Sequence, residues 1–146
     1  MRTAKLIPDR LTTTATNISG VLVLLIGTAH FAMPRFGYNP ATLSAIPDIQ
    51  RDHFVYLGTY AIGCFLVAFG ILTLVAGRGD GSFFDRAFFG VMVAVWGMRV
   101  VLEVLYPVNL PLFFLTNPHP VLLSVIALIW LGYLFGFIGQ LGCSSG

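Results

Sequence analysis

Phe88-Phe-Gly-Val-Met-Val-Ala-Val-Trp-Gly-Met-Arg-Val-Val-Leu-Glu-Val-Leu-Tyr106 is an apolar run long enough to form a spanning helix, and it carries two charges, Arg99 and Glu103, four residues apart. A charge at bilayer depth costs about 2.5–3.5 kcal/mol on insertion scales, so such a residue faces protein, water or a partner charge. One helical turn separates the two, which is the spacing of an intrahelical ion pair. The run is therefore read as a membrane helix with a polar centre of its own.

The rest of the chain supports that class. Of its 146 residues, 57% are hydrophobic and 10% charged, and the mean hydropathy is +0.88. That leaves too little polar surface to cover a soluble globule of this size. The formal net charge of +2 is scattered, without the basic cluster that nucleic acid requires, so no nucleic-acid partner is expected. Cys64 and Cys143 form no CxxC pair and no disulfide framework.

A helix needs about 20 residues to cross a hydrocarbon core. Four segments meet that length, at 14–34, 54–76, 86–106 and 121–141, the first by adding Thr14 to Asn17 to the apolar Ile18 to Pro34. The expected fold is all-α, a single transmembrane domain of four helices. Arg2, Lys5 and Arg10 precede Val21 to Ile26 in the manner of a signal peptide, but no small-x-small cleavage site follows at Ala29 to Ala32. An uncleaved first span is expected.

Lys and Arg in short loops mark the cytoplasmic side. With four spans, Arg2, Lys5, Arg10, Arg78 and Arg86 share one side and Arg35 and Arg51 the other, which places both termini in the cytoplasm, most naturally of a bacterial inner membrane. The loops 35–53 and 107–120 then face outward. In the first, Asn39-Pro40 reads as an N-cap with proline at the first helical position, opening a short interfacial helix. The second holds no formal charge, and is expected to lie on lipid, fold over the polar pocket or dock on another subunit. Gly77 to Ser82 is a polar turn whose Arg-Gly-Asp triplet is read as chance.

The topology gathers the polar residues at the outer end. His30 closes the first helix, His53 opens the second, Arg99 and Glu103 lie late in the third, and His119 precedes the fourth. His53, Tyr56, Tyr60 and Gly63 make one stripe, and Trp96, Arg99, Glu103 and Tyr106 another, both at three-four-three spacing. If both stripes face inward, they surround a polar pocket for a small ligand, lined by Arg99, Glu103, His30, His53, Tyr56, Tyr60, Trp96 and His119. Each feature also has a plain reading. Arg99 and Glu103 can be a structural ion pair, His53 and His119 solvated interfacial residues while His30 is more deeply placed, Phe83, Phe84, Phe88 and Phe89 lipid-facing or interfacial anchors, and Gly132-x-x-x-Gly136 a chance match to a helix-packing motif.

The chemistry of these residues orders the ligand classes. A metal needs converging imidazoles, which only His30, His53 and His119 together could supply, and no HxxxH or HExxH places two on one helical face. A b-type haem needs axial histidines on facing helices, such as His30 with His53 or His119. A quinone needs less: hydrogen-bonding groups at the interface and an apolar crevice for its tail.

Gly27-Thr-Ala-His-Phe-Ala-Met-Pro-Arg-Phe36 together with Tyr56 to Arg78, glycine-punctuated and with an aromatic-proline helix exit, resembles the DoxX and DoxX-like family of small four-helix membrane proteins. The family takes its name from subunits of a thiosulfate:quinone oxidoreductase, so the resemblance implies a redox-linked membrane complex. The acidic residue often found in the family's second helix is replaced here by Ala61 and Ile62. Together these readings lead to a polytopic membrane protein with an outer polar site for a small ligand such as a quinone, within a larger complex of membrane subunits or a homo-oligomer. Arg99 would orient or charge-stabilise the ligand, Glu103 would hold Arg99 and could relay protons, and His30 would donate a hydrogen bond. A non-catalytic scaffold and a proton-coupled transporter are the alternatives.

Overall fold

The structure is a computed structural model and describes residues 9–77, 82–108, 111–113 and 115–142. Arg2, Lys5, the Arg78-Gly-Asp80 triplet and Cys143 lie outside the described residues. The elements are α1 (Asp9–Ala32), a π-helical segment (Met33–Gly37), the short helices α2 (Pro40–Ser44) and α3 (Asp48–Gln50), a second π-helical segment (Arg51–Leu57), α4 (Gly58–Ala76), α5 (Phe83–Leu105) and α6 (His119–Gly142). Four stretches are long and apolar enough to cross a membrane: Arg10–Gly37, Asp48–Ala76, Phe83–Leu105 and His119–Gly142. The protein is an all-α, four-helix transmembrane protein, as its hydropathy implies. The first span runs past its expected bounds at both ends, the second and third begin earlier than expected, and the fourth is longer by one or two residues at each end, because helix continues where lipid no longer dictates composition.

Local chemistry explains several ends. Asn39 caps α2, its side chain accepting from Ala41 N at 2.9 Å, with Pro40 at the first helical position as read from sequence. Ser82 and Asp85 form a reciprocal capping box at the start of α5, Asp85 N donating to Ser82 Oγ and Ser82 N to Asp85 Oδ2, each at 3.1 Å. Pro34 lies at the second position of the first π segment. It has no N–H for the carbonyl four residues back, and the widened turn accommodates its ring.

Packing places α1 in the middle. It lies along α4 on one side and α6 on the other, and α6 in turn packs on α5. Among the described residues α4 and α5, at the two ends of that series, share no extensive contact. The core is made by α1, α5 and α6: Val23, Phe89, Met92, Trp96, Ile126, Ile129 and Tyr133. By contrast α4 buries small residues, Thr59, Gly63, Gly70 and Thr73. A Cβ at Gly27 would stand 2.8 Å from the backbone nitrogen of Val67, so α1 and α4 meet backbone to backbone.

Two expectations are corrected here. Gly132-x-x-x-Gly136 is a packing motif: a Cβ at Gly132 would collide with Ser19 Oγ, and one at Gly136 would come within 2.8 Å of the Phe89 ring. Ser19 Oγ also donates to Ile129 O across the same interface, at 3.2 Å. Phe89 is a core residue rather than an anchor, fully buried, while Phe83 and Phe84 are exposed. The difference follows from helical spacing, since Phe89 shares a face with Met92 and Trp96, whereas Phe83 and Phe84 open the helix at its rim.

Candidate functional site

The last turn of α5 carries the site. Hydrophobic spacing turns Phe89, Met92, Trp96 and Glu103 to one face, and that face meets α6. Glu103 is therefore carried into the protein by the residues that form the core, and its side chain is 0% exposed. A carboxylate held there must be compensated. Arg99 Nη2 donates to Oε2 at 2.7 Å. His119 Nδ1, at the first residue of α6, donates to Oε1 at 3.0 Å. Val108 N, in the chain just beyond α5, donates to Oε1 at 3.2 Å.

These bonds converge on one anion from three parts of the chain. Arg99 holds it within α5, His119 ties α5 to α6, and Val108 fastens the connection between them. That connection is fixed again where Phe113 N donates to Gly37 O at 3.0 Å, which lays it across the end of the first span. Leu112 and Leu115 pair as an isolated bridge, Phe113 takes a positive φ of 52°, and Pro118 is fully buried. The described residues of the chargeless loop thus lie against the end of the first span.

Glu103 is sealed but its two side-chain partners are not. The Arg99 side chain is 39% exposed and that of His119 is 29% exposed. Among the described residues, the side-chain nitrogen and oxygen atoms that are buried without a hydrogen-bond partner are Asn17 Oδ1 and Gln140 Oε1. His119 Nε2 and the remaining Arg99 nitrogens, which bond nothing among the described residues, therefore open to the surroundings. A fixed carboxylate with a cationic fork on one oxygen and an imidazole on the other can present a donor and an acceptor to a small polar group.

The other expected site residues lie elsewhere. His30 Nδ1 donates to Ile26 O at 2.7 Å and His53 Nδ1 to Ile49 O at 2.9 Å, so each ring is held by its own helical stretch. Tyr60 stacks on Phe31 at a centroid distance of 6.1 Å. Tyr56 is half-buried at the end of the second π segment. Trp96 is a core residue stacked on Tyr133 at 6.4 Å. Among the described residues, no hydrogen bond or ion pair joins His30 or His53 to Glu103, and no three His, Cys, Asp or Glu side chains are grouped to hold a metal ion. The stripes on the second and third spans face different neighbours, because α4 packs on α1 and α5 on α6.

Sequence reading paired Arg99 with Glu103 but overlooked the Val108 amide, which has no signature in a side-chain pattern. The sequence reading gives the ligand's hydrogen bond to His30, whereas the path of the loop brings His119 to the carboxylate. No family model, curated protein or solved structure matches the chain.

Proposed function

We propose that this protein binds a small polar headgroup at the outer end of the bundle, a quinone being the best-fitting class, with Arg99 and His119 meeting the ligand and Glu103 holding both. One observation carries the reading. The two side chains sit on neighbouring oxygens of a single fully buried carboxylate, yet each keeps about a third of its surface free. An Arg left open at this depth in a spanning helix is costly unless something polar meets it. A headgroup oxygen meets that need, and the apolar faces beside it suit an isoprenoid tail. The resemblance to the DoxX family is consistent with a redox-linked ligand, and the Lys/Arg distribution favours an inner-membrane protein with cytoplasmic termini and an outward-facing site.

The test is purification in mild detergent without crosslinker, followed by solvent extraction. Retention of the ligand as quinone or quinol by the native chain, reduced to background in an Arg99→Gln variant and weakened in a His119→Gln variant, both still helical, is the expected result. Equal retention by native chain and variants would remove these residues from the site.

A second reading has its own support. Two of the three bonds to Glu103 tie another part of the chain to α5, and Phe113 and Leu115 of the covering loop are exposed. We infer from this that a scaffold subunit, with the charged group purely structural and the loop as docking surface, is the competing function. A stable membrane partner in the same purification, with no extracted small molecule, would select it.

A further inference from the structure

The geometry points to a ligand that brings a hydroxyl proton to His119 Nε2, so that the site holds a quinol more tightly than the corresponding quinone; this rests on the binding reading above and specifies its ligand. The argument starts from Glu103. Its Oε1 accepts the Val108 N–H and its Oε2 faces the Arg99 guanidinium at 2.7 Å, an arrangement of donors that suits the carboxylate form. A carboxylate only accepts, so the imidazole nitrogen beside Oε1, His119 Nδ1, must carry a proton. In a neutral imidazole the other nitrogen then has a free lone pair. That nitrogen is Nε2, which has no partner among the described residues and is not enclosed by them.

Glu103 thus sets the tautomer of His119, as a carboxylate behind a metal-bound or catalytic histidine does. The site offers an acceptor at His119 and donors at Arg99. A quinone carbonyl satisfies Arg99 but gives His119 nothing to accept. A quinol hydroxyl can donate to Nε2 while another ligand oxygen accepts from Arg99. The same logic excludes a methyl ether, which matches the quinol in shape but lacks the proton. A hydrogen bond of ordinary net strength separates these ligands by about tenfold in affinity.

The experiment uses the full chain in lipid nanodiscs at pH 8, under anaerobic conditions, with protein-free nanodiscs as the partition control. Three probes are titrated by equilibrium dialysis: a decyl-tailed benzoquinone, its quinol, and the dimethyl ether of that quinol. The expected result is a quinol Kd about tenfold below those of the other two, with the preference lost in His119→Phe. The native chain alone decides the matter even if that variant fails to fold. Binding of quinone and quinol with equal affinity overturns the inference and leaves the binding reading intact. Tighter quinone binding overturns it too, since Nε2 would then be the protonated donor. Binding of no probe above the protein-free control removes both the inference and the reading beneath it.

Discussion

Replacing Glu103 by Leu deprives three donors at once, and the structure indicates how the loss divides. Arg99 loses its counter-charge at membrane depth, His119 loses the acceptor for Nδ1–H, and the Val108 amide loses the carboxylate oxygen it donates to. Breaking one side of a buried ion pair costs about 3–5 kcal/mol. Because Arg99 is 39% exposed and can turn outward, the lower end of that range applies to it. Each orphaned neutral donor adds about 1–3 kcal/mol if it stays buried, and His119, partly open, can escape that cost more readily than a backbone amide. Adding Arg99→Met to Glu103→Leu removes the lone charge and should recover about 3 kcal/mol. It should not restore native stability, because Val108 N–H still lacks an acceptor. Glu103→Gln should fall between, keeping one acceptor oxygen for Val108 or Arg99 but not both. The assay is thermal or denaturant unfolding in one detergent, followed by the intrinsic fluorescence of Trp96 and Trp130. The reasoning is refuted if Glu103→Gln is as stable as the native chain, or if the double variant is no more stable than Glu103→Leu.

Other outcomes follow from the packing and the topology. Gly132→Val should cost about 1–3 kcal/mol through overpacking against Ser19, measured by the same unfolding assay, whereas Gly142→Val, with open space around it, should cost little. Thr73 Oγ1 donates to Phe69 O at 2.6 Å, so Tyr133 Oη is the donor in its own 2.6 Å bond to Thr73 Oγ1. Tyr133→Phe removes that link between α4 and α6 and should lower stability by about 0.6–1 kcal/mol. For orientation, a cysteine at Thr116, in a Cys64→Ala and Cys143→Ala background, should react with a membrane-impermeant thiol reagent applied to intact cells. Labelling of Arg78→Cys instead would reverse the assignment.

What the sequence discloses here depends on whether the deciding physics is local. The four spans are legible because the cost of burying charge and backbone in hydrocarbon acts on each segment separately. The Arg99–Glu103 pair is legible because two charges one helical turn apart in an apolar run have few other solutions. The Asn39-Pro40 helix start is legible for the same reason, being decided within three residues. Adjacent phenylalanines show where this ends. Phe88 and Phe89 are chemically identical, yet Phe89 is sealed against Tyr133 and Gly136 while Phe88 is half-buried.

The order of the helices is the less legible quantity, and it governs the site. In water an amphipathic stripe identifies the buried face of a helix, but lipid is as apolar as a protein core and leaves that stripe faint. α4 has apolar residues all round, and its packing face is marked only by the small residues Thr59, Gly63, Gly70 and Thr73. Read as polar stripes, Tyr56 and Tyr60 on the second span and Arg99 and Glu103 on the third were expected to converge. Read as packing faces, the small residues of α4 seek the glycines of α1, and the Phe89–Trp96 face of α5 seeks α6. The second rule decides neighbours because close approach of backbones is worth more in lipid than apolar contact alone. His119 reaches Glu103 as a consequence: once α5 is committed to α6, the loop joining them must return to the same end, and the residue that opens α6 arrives beside the carboxylate that closes α5.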